Sequence, residues 1–185
     1  MSAVKQEVLI WLNSVVIGLN LCPFAARPTR ENRVRFQLSN VNNEEGVLVD
    51  LIAEMERLDQ TPCAELETTL LILPNVLQDF FDYTQFLIWA QSRLKRNGWQ
   101  GVYQLASFHP EYCFAGANPE DEENLTNRSP YPIIHIIREA SLAKAIEHVA
   151  DVEGIPEHNR ACVKALSMEQ KKMLFPYLFG CNAVL

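Results

Sequence analysis

The segment TTLLIL, residues 68 to 73, constrains the fold more than any other stretch of the chain. An unbroken β-branched and aliphatic run of this length marks a strand covered on both of its faces. Pro74 stops it, since proline has no N–H to give to a sheet ladder. Such a strand needs apolar layers on either side, and its neighbours in sequence supply helical patterns for them. Upstream, Asn43 is placed to cap a helix whose first turn holds Glu44 and Glu45, acids that complement the helix dipole. Leu48, Leu51, Ile52, Met55 and Leu58 then recur at helical spacing. Downstream, Asn75 followed by Gln78 has the form of a capping box opening a long helix, which Lys95, Arg96 and Gly98 close.

Further strands are expected at Arg33–Leu38, at VYQLASF (102–108) and at PIIHIIR (132–138). Ser141 is placed to cap another helix, Pro156 suits the first turn of a second, and Ser167 with Gln170 forms a capping box for a third. The order strand–helix–strand–helix–strand implies right-handed crossovers and a parallel core. The fold class is therefore α/β: one domain with a sheet of about four strands, helices packed on it and a helical C-terminal segment. The division is 1–155 for the α/β part and 156–185 for the extension packed on the same domain. A chain of 185 residues buries roughly 70% of the surface its unfolded form exposes, enough to fold without disulfide or metal.

One connection breaks the rhythm. Residues 109 to 131 join the third and fourth strands, and loops of that length in compact domains are commonly functional. The loop leaves the carboxyl end of a strand, where open α/β sheets place their ligands. If the fourth strand runs antiparallel, both loop ends meet on one rim.

The net charge of −7 disfavours nucleic acid and anionic membrane as partners, since both call for a cationic surface. Five widely spaced cysteines without a CxxC pair read as reduced thiols of a cytoplasmic protein. The apolar run from Val8 to Leu21 is shorter than the 20 or so residues a membrane span requires. Gln6, Asn13 and Asn20 recur every seven residues along it, the wet edge of a core helix that ends near Cys22.

Candidate chemistry centres on the long loop. His109 ends the third strand on the same face as Ser107, with Pro110 keeping it extended, and is a candidate general acid or base; the alternative is a structural latch. At the far end NRSPYP, stiffened by Pro130 and Pro132, presents Arg128 as an anion ligand, with Asn127, Ser129, Tyr131 and Tyr112 assisting. The alternative is Arg128 pairing with Glu120, Asp121, Glu122 or Glu123, acids that also form a candidate Mg²⁺ site. His135 lies mid-strand between Ile133 and Ile137 and reads either as a core residue or as a second member of the site. Cys22 reads either as a nucleophile or as a buried small residue, because a helix C-terminus disfavours the thiolate. Cys22, His109 and His135 together would also suit an open three-ligand zinc site. Arg27, Arg30, Arg33 and Arg35 are a further candidate anion site or a solvated strand face.

LNLCPFA, TTLLILP, DFFDYTQFL, ASFHPEYCFAG and NLTNRSPYPIIHIIREAS together resemble an uncharacterised bacterial family catalogued as a domain of unknown function, over about residues 10 to 160. Cys22, His109, Tyr112, Asn127, Arg128, Ser129, Tyr131, His135, Arg138 and Glu139 fall on its motif positions. The resemblance implies a soluble bacterial protein and carries no reaction with it. The expectation from the residues is an enzyme acting on a small anionic molecule through His109 and Arg128. A ligand- or protein-binding module and a metal-dependent hydrolase are the alternatives. The cofactor and the oligomeric state are left open.

Overall fold

The computed structural model describes residues 2–147, 149 and 151–180. Helix α1 (Ala3–Trp11) is capped by Ser2 and passes directly into a π-helical turn, Leu12–Ile17. The cause lies in the polar edge. Asn13 Nδ2 donates to Leu9 O at 2.8 Å and Ser14 Oγ to Ile10 O at 2.7 Å. These side chains compete for carbonyls that the backbone would otherwise use, which widens the turn. The helical segment therefore ends at Ile17, five residues short of the expected end at Cys22. A Cβ at Gly18 would sit 2.4 Å from Ser14 O, and Asn20 takes a left-handed φ of 53° to turn the chain.

After α2 (Ala26–Arg30) come β1 (Val34–Leu38), α3 (Glu44–Gln60), β2 (Thr68–Ile72), α4 (Phe80–Arg96) and β3 (Tyr103–Phe108). A short 3₁₀ helix (Glu122–Thr126) lies in the long loop, then β4 (Ile133–Arg138), α5 (Glu139–Ile146), α6 (Ile155–Lys164), α7 (Met168–Leu174) and α8 (Pro176–Phe179). Asn43 caps α3 as expected, accepting from Gly46 N at 2.8 Å. Ser167 and Gln170 form the expected capping box of α7, while the caps expected at Asn75 and Ser141 are corrected. Asp79 caps α4, while Gln78 donates instead to Leu73 O and Val76 O. Helix α5 starts straight from β4, so Ser141 lies within it.

The sheet has the order β1-β2-β4-β3. β1 and β2 are parallel, and β4 runs antiparallel to both of its neighbours. β3 thus points the same way as β1 and β2 but is separated from β2 by β4. Every residue of β2 is buried, the consequence of its central place and its composition.

Alternation along the strands divides the core in two. Leu71, Leu73, Ile134, Ile136 and Tyr103 pack against α3 and α4 through Leu51, Met55, Leu58, Tyr83, Phe86 and Ala90. Leu70, Ile72 and Ile133 face the other way, onto Val8, Trp11, Val15, Val163 and Phe175 of α1, its π turn and the C-terminal helices. Residues of 156–180 thereby close the second core layer.

Candidate functional site

The antiparallel return of β4 brings Phe108 opposite Ile133, so residues 109–131 leave and re-enter on one rim of the sheet. His109 is fully buried at the start of this loop. Its side chain follows the parity of Tyr103 and Leu105 and lies over α4, with its ring centroid 5.2 Å from that of Phe80 and 5.1 Å from that of Tyr83. Nδ1 accepts from Glu111 N at 3.0 Å, so Nε2 carries the proton and donates to Leu77 O at 3.1 Å. Burial holds the imidazole below its ordinary pKa. The backbone of His109 is bound as well, to Asn127 O and by Ser129 N. Leu77 has a φ of 57°, a left-handed conformation that costs a leucine energy. His109 thus pins a strained loop to the end of β3.

Arg128 is consumed in a similar way. Nε donates to Tyr112 O at 3.3 Å and Nη2 to Pro119 O at 2.7 Å, so it holds loop carbonyls rather than the loop acids. Of those acids, Glu122 pairs with Lys171 of α7, and Asp121 Oδ2 accepts from Asn118 N at 2.8 Å. Asn127 Nδ2 donates to Ser107 O at 3.1 Å, Ser129 Oγ to Tyr131 O at 2.6 Å, and Tyr131 Oη to Glu7 Oε2 at 2.7 Å. Burial and the Glu7 carboxylate push the Tyr131 phenol up to about 12. The Tyr112 ring packs between Phe80 and Phe114.

His135 belongs to the opposite face. It shares the parity of Ile133, packs near Phe108 at 6.4 Å between ring centroids, and its Nε2 lies 2.6 Å from Thr68 Oγ1. Burial pulls it down to about 4. Cys22 lies beyond the π turn, half-buried against that same core. Burial raises its thiol pKa, partly offset by the backbone N–H groups of Phe24 and Ala25. The sheet therefore separates His109 from His135, and the three expected zinc ligands do not meet. Among the described residues no three His, Cys, Asp or Glu side chains are grouped to hold a metal ion. Three of the four arginines of the arginine-rich stretch are taken up by carboxylates, Arg27 by Glu31, Arg33 by Glu31 and Glu67, and Arg35 by Glu54, and Arg30 is exposed.

A family model described as Protein of unknown function (DUF1415) matches residues 3–173. The chain belongs to this family. No curated protein and no solved structure matches it.

In this DUF1415 chain three groups outside the expected set complete the loop. Asn124 is fully buried; its Oδ1 accepts from Phe114 N at 3.0 Å and its Nδ2 donates to Asn118 O at 2.8 Å. Trp11 Nε1 and Tyr177 Oη both donate to Arg128 O, at 3.0 and 3.1 Å. Nothing local signals these contacts, which link residues up to 117 positions apart. Arg138 likewise serves the fold, donating from Nη2 to Leu58 O and Thr61 O at the C-terminal end of α3 and to Leu66 O in the connection to β2.

Two openings border the loop region. One, of about 400 Å³, lies between the loop and α6 and is lined by Phe114, Glu123, Thr126, Asn127, Ile155, Pro156, Asn159 and Arg160. The other lies at the carboxyl ends of β1 and β2, among residues 42–45 and 75–78 and Asp82, and is more polar. Of the expected site residues, Asn127 and the loop acid Glu123 line the first of them. No described helix is long and apolar enough to cross a membrane.

Proposed function

We propose that the chain is a non-catalytic module that binds a small molecule, with residues 109–131 as a preorganised frame. The observation carrying this reading is that both ring nitrogens of His109, and Nε and Nη2 of Arg128, bond the backbone of their own fold. A general base must come within about 3 Å of the proton it removes, and His109 has no exposed surface from which to do so. Cys22 is held toward the thiol, the unreactive form. His135 is neutral at physiological pH and bonded to Thr68. Rigidity of this kind favours binding, because the loop has already lost the entropy that a ligand would otherwise have to remove. The cellular setting that suits the reading is cytoplasmic, where Cys22, Cys63, Cys113 and Cys162 stay as free thiols.

The test is native mass spectrometry of the protein in a broad metabolite mixture, with the mixture quantified before and after incubation. The expected result is a retained ligand of unchanged mass and no consumption of any component. Turnover of a metabolite that is lost in His109→Gln or Arg128→Lys, in variants folding as stably as the parent, would overturn the reading.

A further inference from the structure

The opening between the loop and α6 has the dimensions of a metabolite site and walls of unequal stiffness. Its 400 Å³ lies within the range of small-molecule pockets. The loop wall is Phe114, Glu123, Thr126 and Asn127, clamped from behind by the buried Asn124. The facing wall is the first part of α6: Ile155, Pro156, Asn159 and Arg160.

The charges on the two walls are opposite. Glu123 projects from the 3₁₀ helix and acts on the charge of Arg160 across the opening. Arg160 itself is ion-paired to Glu157 on its own helix, Nη2 to Oε2 at 2.5 Å, through Nε and Nη2. That arrangement leaves Nη1 outside the pair and keeps Glu123 from being covered by the guanidinium. Asn159 supplies a second observation. Its Nδ2 is committed to Leu21 O at 2.8 Å, which fixes the orientation of the amide and ties this wall of the cleft to the segment that follows the π turn.

From this geometry we infer that the cleft between residues 114–127 and α6 binds a small zwitterion of the amino-acid type. Its anionic group lies toward Arg160 and its ammonium group toward Glu123. Phe114, Ile155 and Pro156 provide apolar contact for the remainder of the molecule. The inference rests on the binding reading above and names the site and ligand class for it. A plain monoanion would leave Glu123 facing the apolar part of the ligand, and a plain amine would do the same to Arg160. Both are therefore weaker partners than a molecule with the two charges.

The probes are free amino acids, each compared with the carboxylic acid lacking the amine and the amine lacking the carboxyl, titrated by ligand-observed NMR on the full chain. At least one amino acid should bind, with both truncated analogues weaker by tenfold or more. Arg160→Gln and Glu123→Gln, at surface-accessible positions, should each reduce that binding about tenfold, and Asn42→Ala in the other opening should leave it unchanged. Equal binding of zwitterion and truncated analogues overturns the ligand class, as does the absence of any amino-acid binding. Binding that survives both Arg160→Gln and Glu123→Gln overturns the site. If native mass spectrometry retains some other ligand while the amino acids fail, this inference falls and the binding reading stands. Turnover dependent on His109 removes the binding reading, whatever the amino acids do.

Discussion

Thr68 has a single hydroxyl hydrogen, given to Ile136 O 2.5 Å away. The imidazole 2.6 Å from the same oxygen must therefore be the donor in its own bond, which fixes His135 as the neutral Nε2–H form. Protonation is opposed by burial, which moves the group from about 6.5 in the unfolded chain to about 4 in the fold. Above pH 6.5 both states are neutral at this residue and it contributes no pH dependence. Between 6.5 and 4 the unfolded chain takes up the proton first, so stability falls as pH falls, by up to about 3 kcal/mol. His135 keeps some solvent contact, which reduces that limit. His109 is depressed by burial as well and tilts the curve in the same direction. Urea unfolding of the parent and His135→Gln at pH 7 and pH 4.5 measures the term. The variant should lose less stability on acidification, and parallel losses would remove the assignment. The sequence marks both histidines through strand position and neighbours but does not tell a latch from a catalyst. The distinction lies in Leu77 O and Thr68 Oγ1, which reach them from 32 and 67 residues away.

At the scale of elements, the start of α4 separates a legible pattern from its wrong placement. Asn75 with Gln78 and Asp79 with Asp82 both offer a cap and a partner three residues on, and spacing alone does not choose between them. Leu77 decides it, because a φ of 57° cannot lie within a right-handed helix. Asp79 Oδ1 accepts from Asp82 N at 3.0 Å, so Asp79→Ala should cost about 1 kcal/mol. Asn75→Ala should stay within about 0.5 kcal/mol, as surface changes do. Denaturant midpoints of the two variants check the order, and a larger loss at Asn75 would return the cap to it. The four strands were legible from apolar runs and turn residues, since those signals are local. The insertion of β4 between β2 and β3 was not, because strand order depends on pairings such as Leu71 with Ile134 that no window of sequence contains. The π turn escaped for a different reason: Asn13 and Ser14 show their polarity in the sequence but not the carbonyls they take.

Across the whole molecule, the two ends of the chain converge on the loop. Trp11 near the N-terminus and Tyr177 near the C-terminus share the carbonyl of Arg128, Glu7 receives Tyr131, and Glu122 of the loop holds Lys171 of α7. Phe175 between these contacts is fully buried in the core layer formed with α1 and the sheet. The frame around the proposed cleft is then only as stable as the packing of the terminal helices, and α6, the first of them, is one of its walls. Phe175→Ala removes a ring from that layer and should cost about 3–5 kcal/mol, the range for large-to-small changes in a well-packed core. If residues 156–180 share one cooperative unit with the sheet, far-UV circular dichroism and tryptophan fluorescence shift together in a single transition. Trp11 lies in the same layer as Phe175, so the fluorescence is read in a Trp11→Phe background, where Trp89 and Trp99, packed with the other core layer, report on the face of the sheet that Phe175 does not touch. An early transition in circular dichroism with Trp89 and Trp99 unperturbed would mean instead that the terminal helices melt as a separate part. The loop, anchored to Tyr177 and Lys171, would lose its rigidity with them, and amino-acid binding in the cleft should then disappear at that first transition rather than at global unfolding.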